Sequence, residues 1–481
     1  MALSVSACGS TVQLTSTAAG PDGLSPAPSL DGSAASAPGA SGDLAGASVA
    51  STSAGALTAT HGSSGSAPSA PASRSATSSS TGPGAGEVSH TPIRVGVLYA
   101  QGVDQAAKAI GISGLTTGDT KAQAAAVVSW ANAHGGLGGH PLVPVYYAIQ
   151  ASEDASNGDA AYQAACTSLT EDGKVQFVVT ILNLRPVTMP CFSKHGVAVL
   201  DDESGLGDGT IAKYGRFLAS PGDFATGRML TNMVDDLWAR GWLTSSSKVG
   251  SFTWDSPDGA ELVDGALTKA LAAHGLKIAS KQSVSQDSGG VDQASSVALQ
   301  YRAAGVDRVI PVLASPLFVM NAASSQNYHP AYALYSSFGP GALLESAAPK
   351  DQLKGAAGIG WQPFLDIGAG THPGPVSSNE TLCFALMKAS GQASTAATVR
   401  GFQVQVCNTL FYLKTMLDRM PSNPADLLLA TRPLIGASFR PADTFRSDMT
   451  HRADGAAGFR DLTYEQSCSC FQYTSPVKNA S

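Results

Sequence analysis

The segment Val175–Leu182, with the sequence Val-Gln-Phe-Val-Val-Thr-Ile-Leu, decides the fold class. It is almost entirely apolar, as expected of a strand in a parallel sheet that helices cover on both faces. The patterns around it predict strands over residues 93–99, 142–149 and 197–200, and a helix over 119–132. Strands that alternate with helices indicate a parallel sheet with right-handed crossovers.

The same pattern starts again after residue 218. It predicts a helix over residues 223–240, a strand over 249–254 and a helix over 257–274, and the alternation continues to residue 336. Two such series in succession predict two α/β lobes.

The first 90 residues have a different composition. They contain no Phe, Trp or Tyr and consist mainly of Ser, Ala, Gly, Thr and Pro, so we expect a disordered stalk. Without the four acids and one Arg of this stalk, the net charge changes from −7 to −4. A mildly acidic chain of this kind argues against nucleic acid as a partner. The sequence contains no run of about 18 apolar residues, so it predicts no transmembrane helix.

Cys8 lies in the segment Val5-Ser6-Ala7-Cys8-Gly9, which resembles the bacterial lipobox. Only seven residues precede it and none is basic, so we expect the signal peptide to be truncated in this sequence. On this interpretation Cys8 is lipidated and the stalk anchors the protein to the outer face of the bacterial cytoplasmic membrane. The alternative is a chance match in a cytosolic protein.

The other six cysteines are an even number, which in an exported chain implies disulfide bonds with 15 possible connectivities. None has the spacing of zinc ligands, and unpaired buried thiols are the alternative. The six are Cys166, Cys191, Cys383, Cys407, Cys468 and Cys470.

The segment Trp130–Leu142, with the sequence Trp-Ala-Asn-Ala-His-Gly-Gly-Leu-Gly-Gly-His-Pro-Leu, resembles a helix end of the type I periplasmic substrate-binding proteins. The nearest group is the branched-chain amino-acid-binding type that serves ABC importers. The order of elements agrees through residues 174–179, 195–200 and 248–252, and the resemblance covers about residues 92–475.

The resemblance implies two doubly wound parallel-sheet lobes joined by a three-segment hinge. The first lobe would comprise residues 91–219 and 361–440, and the second 220–360 and 441–481, with crossings near Ser220, Gly360 and Pro441. The family's strand order 2-1-3-4 would bring Cys166 to Cys191. The family also places the consecutive helices that carry Cys383 and Cys407 in the first lobe, which leaves Cys468 for Cys470.

The implied function is an extracytoplasmic substrate-binding lipoprotein of an ABC importer that captures a small polar metabolite by hinge closure. Its partners would be the ligand and a membrane permease, and we expect a monomer with no cofactor and no metal. The alternatives are a ligand sensor of the same fold, an α/β enzyme and a structural surface protein. The motifs G-x-S-x-G, G-x-x-x-x-G-K-[ST] and H-E-x-x-H are absent, and no His accompanies the acidic triplet at residues 201–203.

Open parallel sheets bind ligands beyond the carboxyl ends of their strands. The residues that this rule selects as candidate ligand contacts are Gln101, Asn183, Arg185, Asp201, Asp202, Trp254, Ser315 and Ser337.

The acidic loop residues predict that the ligand is not an ordinary α-amino acid. In amino-acid-binding relatives, hydroxyl-rich loops hold the ligand carboxylate, whereas this chain has Asp201 and Asp202 in the fourth-strand loop. We therefore expect a neutral or cationic ligand, with Asp202 as hydrogen-bond acceptor and Trp254 as an apolar wall. Arg185 leaves a second possibility open, because it would either pair with these acids or bind an anionic ligand.

Overall fold

A computed structural model describes residues 91–109, 116–182, 184–202, 207–346, 348–367, 377–419, 439–450 and 452–481. They belong to one compact unit, Thr81–Ser481. The predicted stalk, Cys8 and Asn183 lie outside the described residues. Among the helices of the described ranges, none is long and apolar enough to cross a bilayer.

The strands are β1 Ile93–Gln101, β2 Leu142–Gln150, β3 Phe177–Ile181, β4 Ala198–Asp201, β5 Leu218–Ala219, β6 Val249–Trp254, β7 Ile278–Val284, β8 Arg308–Pro311, β9 Ala331–Tyr335, β10 Ala357–Gly360, β11 Gly458–Glu465, β12 Cys470–Tyr473 and β13 Lys478–Asn479. The α-helices are α1 Val103–Ala109, α2 Thr120–Ala133, α3 Ala151–Thr167, α4 Thr188–Lys194, α5 Asp208–Tyr214, α6 Thr226–Ala239, α7 Pro257–Glu261, α8 Thr268–Ala273, α9 Ala294–Ala304, α10 Leu317–Ser325, α11 Pro340–Glu345, α12 Pro363–Asp366, α13 Ser378–Ala389 and α14 Ala397–Leu417.

The first sheet has the order β2-β1-β3-β4-β5, and all its strands are parallel. Its central strand β3 is buried along its whole length, in agreement with the apolar run that predicted it. The predicted strand order 2-1-3-4 is therefore confirmed. Helices α2 and α14 pack on this sheet in one apolar core that contains Val127, Phe177, Cys407 and Leu410.

The second sheet has the order β12-β11-β10-β9-β8-β6-β7, with β13 paired to β11. Strands β6 to β10 are parallel, as predicted, whereas β11 runs antiparallel to β10 and to β12. The alternation of strands and helices predicted only the parallel part. The antiparallel edge differs because β11 and β12 are joined by a tight turn, and a short hairpin can connect only antiparallel strands.

Local sequence determines the ends of α2. The Asp119 carboxylate accepts a hydrogen bond from the Ala122 backbone N–H at 2.9 Å, and so caps the helix as predicted. Gly136 follows the helix with φ +69°, and a Cβ there would lie 2.0 Å from the His140 carbonyl oxygen. Only glycine fits this turn, because a side chain would meet both a left-handed backbone and a backbone atom.

The structure contains the three expected disulfides, Cys166–Cys191, Cys383–Cys407 and Cys468–Cys470. The first joins α3 to α4 and the second joins α13 to α14. Each of these two bonds ties neighbouring helices against the first sheet.

Removal of the second bond by Cys383→Ser together with Cys407→Ser should lower the free energy of unfolding by about 3 kcal/mol, measured by urea denaturation. The bond closes a loop of 24 residues, and the loss of loop-closure entropy from the unfolded chain is worth about that much. The matched double variant at Cys468 and Cys470 should lose about half as much, because its loop spans only two residues. Equal losses would contradict the entropic account.

Candidate functional site

A cavity of about 400 Å³ lies where the segment after β3 faces the segments after β6 and β7. This volume is typical of a site for a small organic molecule. Residues that follow strands of both sheets line it, together with one residue of α3. The lining residues are Asp159, Arg185, Pro186, Val187, Asp255, Ser256, Pro257, Ser285, Gln286 and Asp287.

A narrower cavity adjoins the first and shares Pro186, Ser256 and Gln286 with it. Its further lining residues are Leu184, Trp254, Asp258 and Leu313. Three of these four residues have apolar side chains, so the added end of the combined cavity is built mostly by apolar residues.

The turn after β6 places Trp254 and Ser256 on this wall. The Ser256 hydroxyl accepts a hydrogen bond from the Gly259 N–H at 3.1 Å, and Pro257 occupies the first position of α7. This combination of a serine cap and a following proline begins a helix sharply. The strand therefore ends at Trp254 and leaves the Trp254 ring half-buried beside the cavity.

Leu313 reaches the wall through an unusual backbone conformation, with φ +62°. Its N–H donates a hydrogen bond to the Tyr335 hydroxyl at 3.3 Å. A left-handed, non-glycine residue is costly and persists only where surrounding contacts hold it. Here the buried Tyr335 is one such contact, and the conformation shapes the apolar end of the site.

Arg185 is the central charged group of the cavity, and its side chain is only 5 % exposed. Its guanidinium pairs with Asp154 at 2.9 Å, Asp159 at 3.2 Å and Asp287 at 3.1 Å. Burial alone would lower the pKa of Arg185, but the three carboxylates outweigh it and raise that pKa. Of the two roles left open for Arg185, the structure shows internal pairing, although its partners are not Asp201 and Asp202.

The lining of the larger cavity has an excess of negative charge. Asp159, Asp255 and Asp287 oppose the single positive charge of Arg185, which gives a net charge of −2. An anionic ligand would therefore meet repulsion that a neutral or cationic ligand avoids.

The structure places Asp201 and Asp202 in the interior, each about 1 % exposed. Asp201 accepts a hydrogen bond from the Thr180 hydroxyl at 2.9 Å. The two carboxylate oxygens of Asp202 accept hydrogen bonds from the Gly222 N–H and the Asn408 side-chain amide, each at 2.6 Å. Burial raises the pKa of Asp202 well above its ordinary value. Both oxygens of Asp202 therefore already accept hydrogen bonds from the protein, although the sequence predicted that Asp202 accepts one from the ligand.

Asp202 and Asn408 belong to a buried network that includes residues near all three predicted lobe crossings. Asn408 accepts a hydrogen bond from the Ala442 N–H at 2.6 Å. The Gly222 carbonyl accepts from the Gln362 side-chain amide at 3.2 Å and from the Thr444 hydroxyl at 2.9 Å. Residues distant in sequence are therefore joined at one point beneath the cleft.

The remaining candidate contacts lie apart from the cavity. Gln101 is exposed and lines a separate cavity of about 470 Å³ at the end of β1. Ser315 accepts a weak hydrogen bond from the Leu317 N–H at 3.4 Å, and Ser337 is half-buried in the turn after β9. Of the predicted site residues that the structure describes, only Arg185 and Trp254 line the two adjoining cavities.

Asp159, Gln286 and Asp287 line the cavity but were not among the predicted ligand contacts. The last two follow β7, a strand that was not predicted, and Asp159 lies within α3. Strand β7 has alternating exposed and half-buried residues over Ile278–Val284, which is the period of a half-buried strand. The sequence of β7, Ile-Ala-Ser-Lys-Gln-Ser-Val, has strongly apolar residues only at its ends, so its signal for a strand was weak. Asp159 has no comparable signal, because only packing brings α3 to the cavity.

Asp366 is a buried carboxyl close to the second predicted crossing. One of its oxygens accepts hydrogen bonds from the Ser336 hydroxyl and the Gln362 N–H, each at 3.0 Å, and from the Tyr473 hydroxyl. Burial raises the pKa of Asp366 to about 7, although these hydrogen bonds oppose the rise. The folded chain therefore retains a proton on Asp366 at mildly acidic pH.

This proton predicts a pH dependence of stability. An unfolded Asp titrates near pH 4, so between about pH 4 and pH 7 the folded chain binds the proton that the unfolded chain releases. The contribution is fully present below pH 4 and falls as pH rises to 7, by up to about 1.4 kcal/mol per pH unit. Asp366→Asn should reduce the slope of stability against pH in this range by up to about 1.4 kcal/mol per pH unit, measured by urea denaturation at a series of pH values. The exposed Asp292→Asn should leave the slope as in the wild type, and a wild-type slope in Asp366→Asn would contradict the assignment.

Within the described ranges, no group of three or more His, Cys, Asp or Glu side chains is arranged to hold a metal ion.

Comparison with known proteins gives a family match and several solved structures of the same fold. The sequence profile of the periplasmic binding protein family matches residues 92–371. A solute-binding protein of an ABC transporter from R. palustris, in complex with 4-hydroxybenzoate, is 12 % identical, with a TM-score of 0.58 over 81 % of this chain and 98 % of that chain. A comparison with curated protein sequences gives no match.

Two further solved structures share the fold. A substrate-binding protein of an ABC transporter from Desulfitobacterium hafniense, in complex with Leu, is 14 % identical, with a TM-score of 0.52 over 79 % of this chain and 99 % of that chain. A possible leucine/isoleucine/valine-binding protein from Rhodopirellula baltica is 14 % identical, with a TM-score of 0.55 over 82 % of this chain and 98 % of that chain. The predicted family and fold class are confirmed. The chain belongs to the periplasmic binding protein family.

Proposed function

We propose that the protein is an extracytoplasmic substrate-binding lipoprotein of an ABC importer, and that it captures a small polar metabolite between two lobes. The observation that carries this proposal is the 400 Å³ cavity, because elements of both sheets build it together. A site shared between two lobes is completed when a hinge closes and opened when it relaxes. The lobes are those expected from the sequence, with the buried network around Asn408 at the hinge.

Polar contacts across the cleft support a closing movement. The Asp258 carboxylate after β6 accepts a hydrogen bond from the Gly207 N–H at 2.7 Å, and Glu261 of α7 accepts one from the Gly209 N–H at 2.9 Å. Asp287 reaches Arg185 from the other side of the cavity. When the cleft opens, water can replace these hydrogen bonds and ion pairs at small net cost, so they suit an interface that opens and closes.

The charge of the cavity indicates the class of ligand. Three carboxylates occupy the Arg185 guanidinium, so it has little capacity left for a ligand carboxylate. The net charge of −2 in the lining favours a neutral or cationic ligand, and Trp254 offers a ring on which an apolar or cationic group can pack. We therefore propose an amine, an amide or a similar polar metabolite in preference to an ordinary α-amino acid.

A thermal-shift screen tests the ligand class. A ligand at 100 times its Kd adds about 2.7 kcal/mol of stability, which raises Tm by several degrees. Amines and amides should include a ligand that produces this shift, and Trp254→Ala should reduce it. Trp242→Ala is the matched control. Trp242 is not among the residues that line the two adjoining cavities, and its indole N–H donates a hydrogen bond to the Gly355 carbonyl. A clear shift with leucine, isoleucine or valine and none with amines or amides would contradict the proposed class.

Metabolic labelling with a radioactive fatty acid tests the anchor. A gene extended by its upstream codons should give a labelled protein, and Cys8→Ser should abolish the label. Equal labelling of both proteins would exclude Cys8 as the lipidated residue.

A further inference from the structure

The turn between β11 and β12 carries the Cys468–Cys470 disulfide. Glu465 at the end of β11 pairs directly with Cys470 at the start of β12. Ser469 between the two cysteines has φ +50°. The bond therefore spans a tight turn at the edge of the second sheet.

Exposure separates this disulfide from the other two. Cys383 and Cys407 are fully buried, and in the third bond Cys166 is fully buried and Cys191 half-buried. Cys468 is exposed and Cys470 is half-buried, so Cys468 is the one exposed cysteine of the three bonds. A thiolate must reach a sulfur atom before it can open a disulfide, so in the folded protein solvent-borne thiols reach Cys468 more readily than any other bonded cysteine.

The fold around the turn does not depend on this bond. A disulfide that closes a two-residue loop restricts the unfolded chain much less than the 24- and 25-residue loops of the other two. The strand pairing continues beside it through Tyr464 and Phe471, and Phe471 is fully buried in the core. Opening of the bond should therefore leave the hairpin in place.

Gln472 supplies a polar group to both sulfur atoms. Its side-chain amide donates a hydrogen bond to the Cys468 Sγ and to the Cys470 Sγ, each at 3.4 Å. A hydrogen bond to a thiolate stabilises the charged form and makes that sulfur a better leaving group. The turn thus combines access to the bond with stabilisation of the thiolate released from it.

We infer that Cys468–Cys470 is a thiol–disulfide exchange site that accepts two electrons from an extracytoplasmic dithiol. A thiolate of the dithiol attacks the exposed Cys468 Sγ, which forms a mixed disulfide and releases the Cys470 thiolate. The second thiol of the reductant then attacks the mixed disulfide and releases the Cys468 thiolate. The reductant leaves as a disulfide, and its two protons end on Cys468 and Cys470. This site is separate from the ligand cavity and does not rest on the proposed transport function.

Titration of the folded full-length protein with dithiothreitol tests the inference. After each addition the free thiols are alkylated, the remaining disulfides are reduced and alkylated with an isotopic label, and the peptides are mapped by mass spectrometry. Cys468 and Cys470 should become free at a dithiothreitol concentration about tenfold lower than the other four cysteines, with Tm nearly unchanged at that point. Simultaneous release of all six, or release of Cys468 and Cys470 last, would overturn the inference.

A second series uses reduced thioredoxin as a protein dithiol. Selective release of Cys468 and Cys470 by thioredoxin would assign the partner to the protein class, and release by dithiothreitol alone would assign it to small dithiols.

Two variants test the geometry of the exchange site. Gln472→Leu should slow the reduction of the bond several-fold, because it removes the donor to both sulfur atoms. Gln466→Leu, on the exposed opposite arm of the turn, is the matched control and should react at the wild-type rate. Equal rates for both variants would remove Gln472 from the site. The double variant Cys468→Ser with Cys470→Ser should stay folded and lose all reaction at low reductant.

Discussion

Replacement of Asn408 by Leu should lower the free energy of unfolding by about 5 kcal/mol, measured by urea denaturation. Leu has the same number of side-chain heavy atoms but neither hydrogen-bonding group, so the Ala442 N–H and one oxygen of Asp202 lose their partners. An unsatisfied buried group costs about 1–3 kcal/mol, and two such groups are left here. Both are fully enclosed, because Asp202 is 1 % exposed and Ala442 is not exposed at all.

The neighbouring residue on α14 provides a matched control. Thr409 is equally buried, and its hydroxyl donates to the Gln405 and Val406 carbonyls. Thr409→Val removes these two hydrogen bonds, but the Gln405 and Val406 carbonyls remain part of the helical backbone of α14. We therefore expect the free energy of unfolding to fall by about 1 kcal/mol. If Asn408→Leu cost no more than Thr409→Val, the buried network would not join the predicted crossings as we describe.

Replacement of Arg185 by Met should lower the free energy of unfolding by about 4 kcal/mol. The variant keeps most of the side-chain volume and leaves three carboxylates without their cation. Breaking a buried ion pair costs about 3–5 kcal/mol. The carboxylates retain some hydration, since Asp154 is 43 % and Asp159 67 % exposed, and this screening keeps the loss below the top of that range.

The same variant should also open the cleft. Repulsion between Asp287 after β7 and the acids of α3 would replace attraction, so small-angle scattering should show a larger radius of gyration. Arg216→Met is the matched control, because Arg216 is exposed and packs on the Phe217 ring at 4.5 Å. It should cost less than about 1 kcal/mol and leave the radius unchanged. Equal effects of the two variants would exclude Arg185 as a link across the cavity.

Much of the scaffold could be predicted because its signals are local. The apolar run over residues 175–182 predicted a buried parallel strand, and Asp119 predicted the start of α2. Resemblance to a family supplied the strand order and, through it, the Cys166–Cys191 pair. The family's placement of two consecutive helices supplied the Cys383–Cys407 pair, and Cys468 and Cys470 were left for each other. The antiparallel hairpin of β11 and β12 was missed because no alternation of strands and helices announces it.

The site could be predicted only in part. The rule for strand ends selected both Arg185 and Asp202, which follow neighbouring strands of one sheet. In the structure the two residues have different roles. Arg185 lines the cavity and pairs with partly exposed acids, whereas Asp202 does not line it and belongs to the buried network. Asp287, which completes the Arg185 cluster, follows a strand with too few apolar residues to stand out.

By itself, the sequence determined the positions of β1, β3 and β6, where α2 begins and ends, and that the folded part belongs to a two-sheet α/β architecture. These properties depend on residues a few positions apart, which the order of the chain makes explicit. The tertiary structure alone decided which charges are solvated, paired or buried. One partner of Asp202 is 206 residues away in sequence, and one partner of Arg185 is 102 residues away. The free energy of a carboxylate depends on the donors and the water around it, and these are set by packing between distant segments.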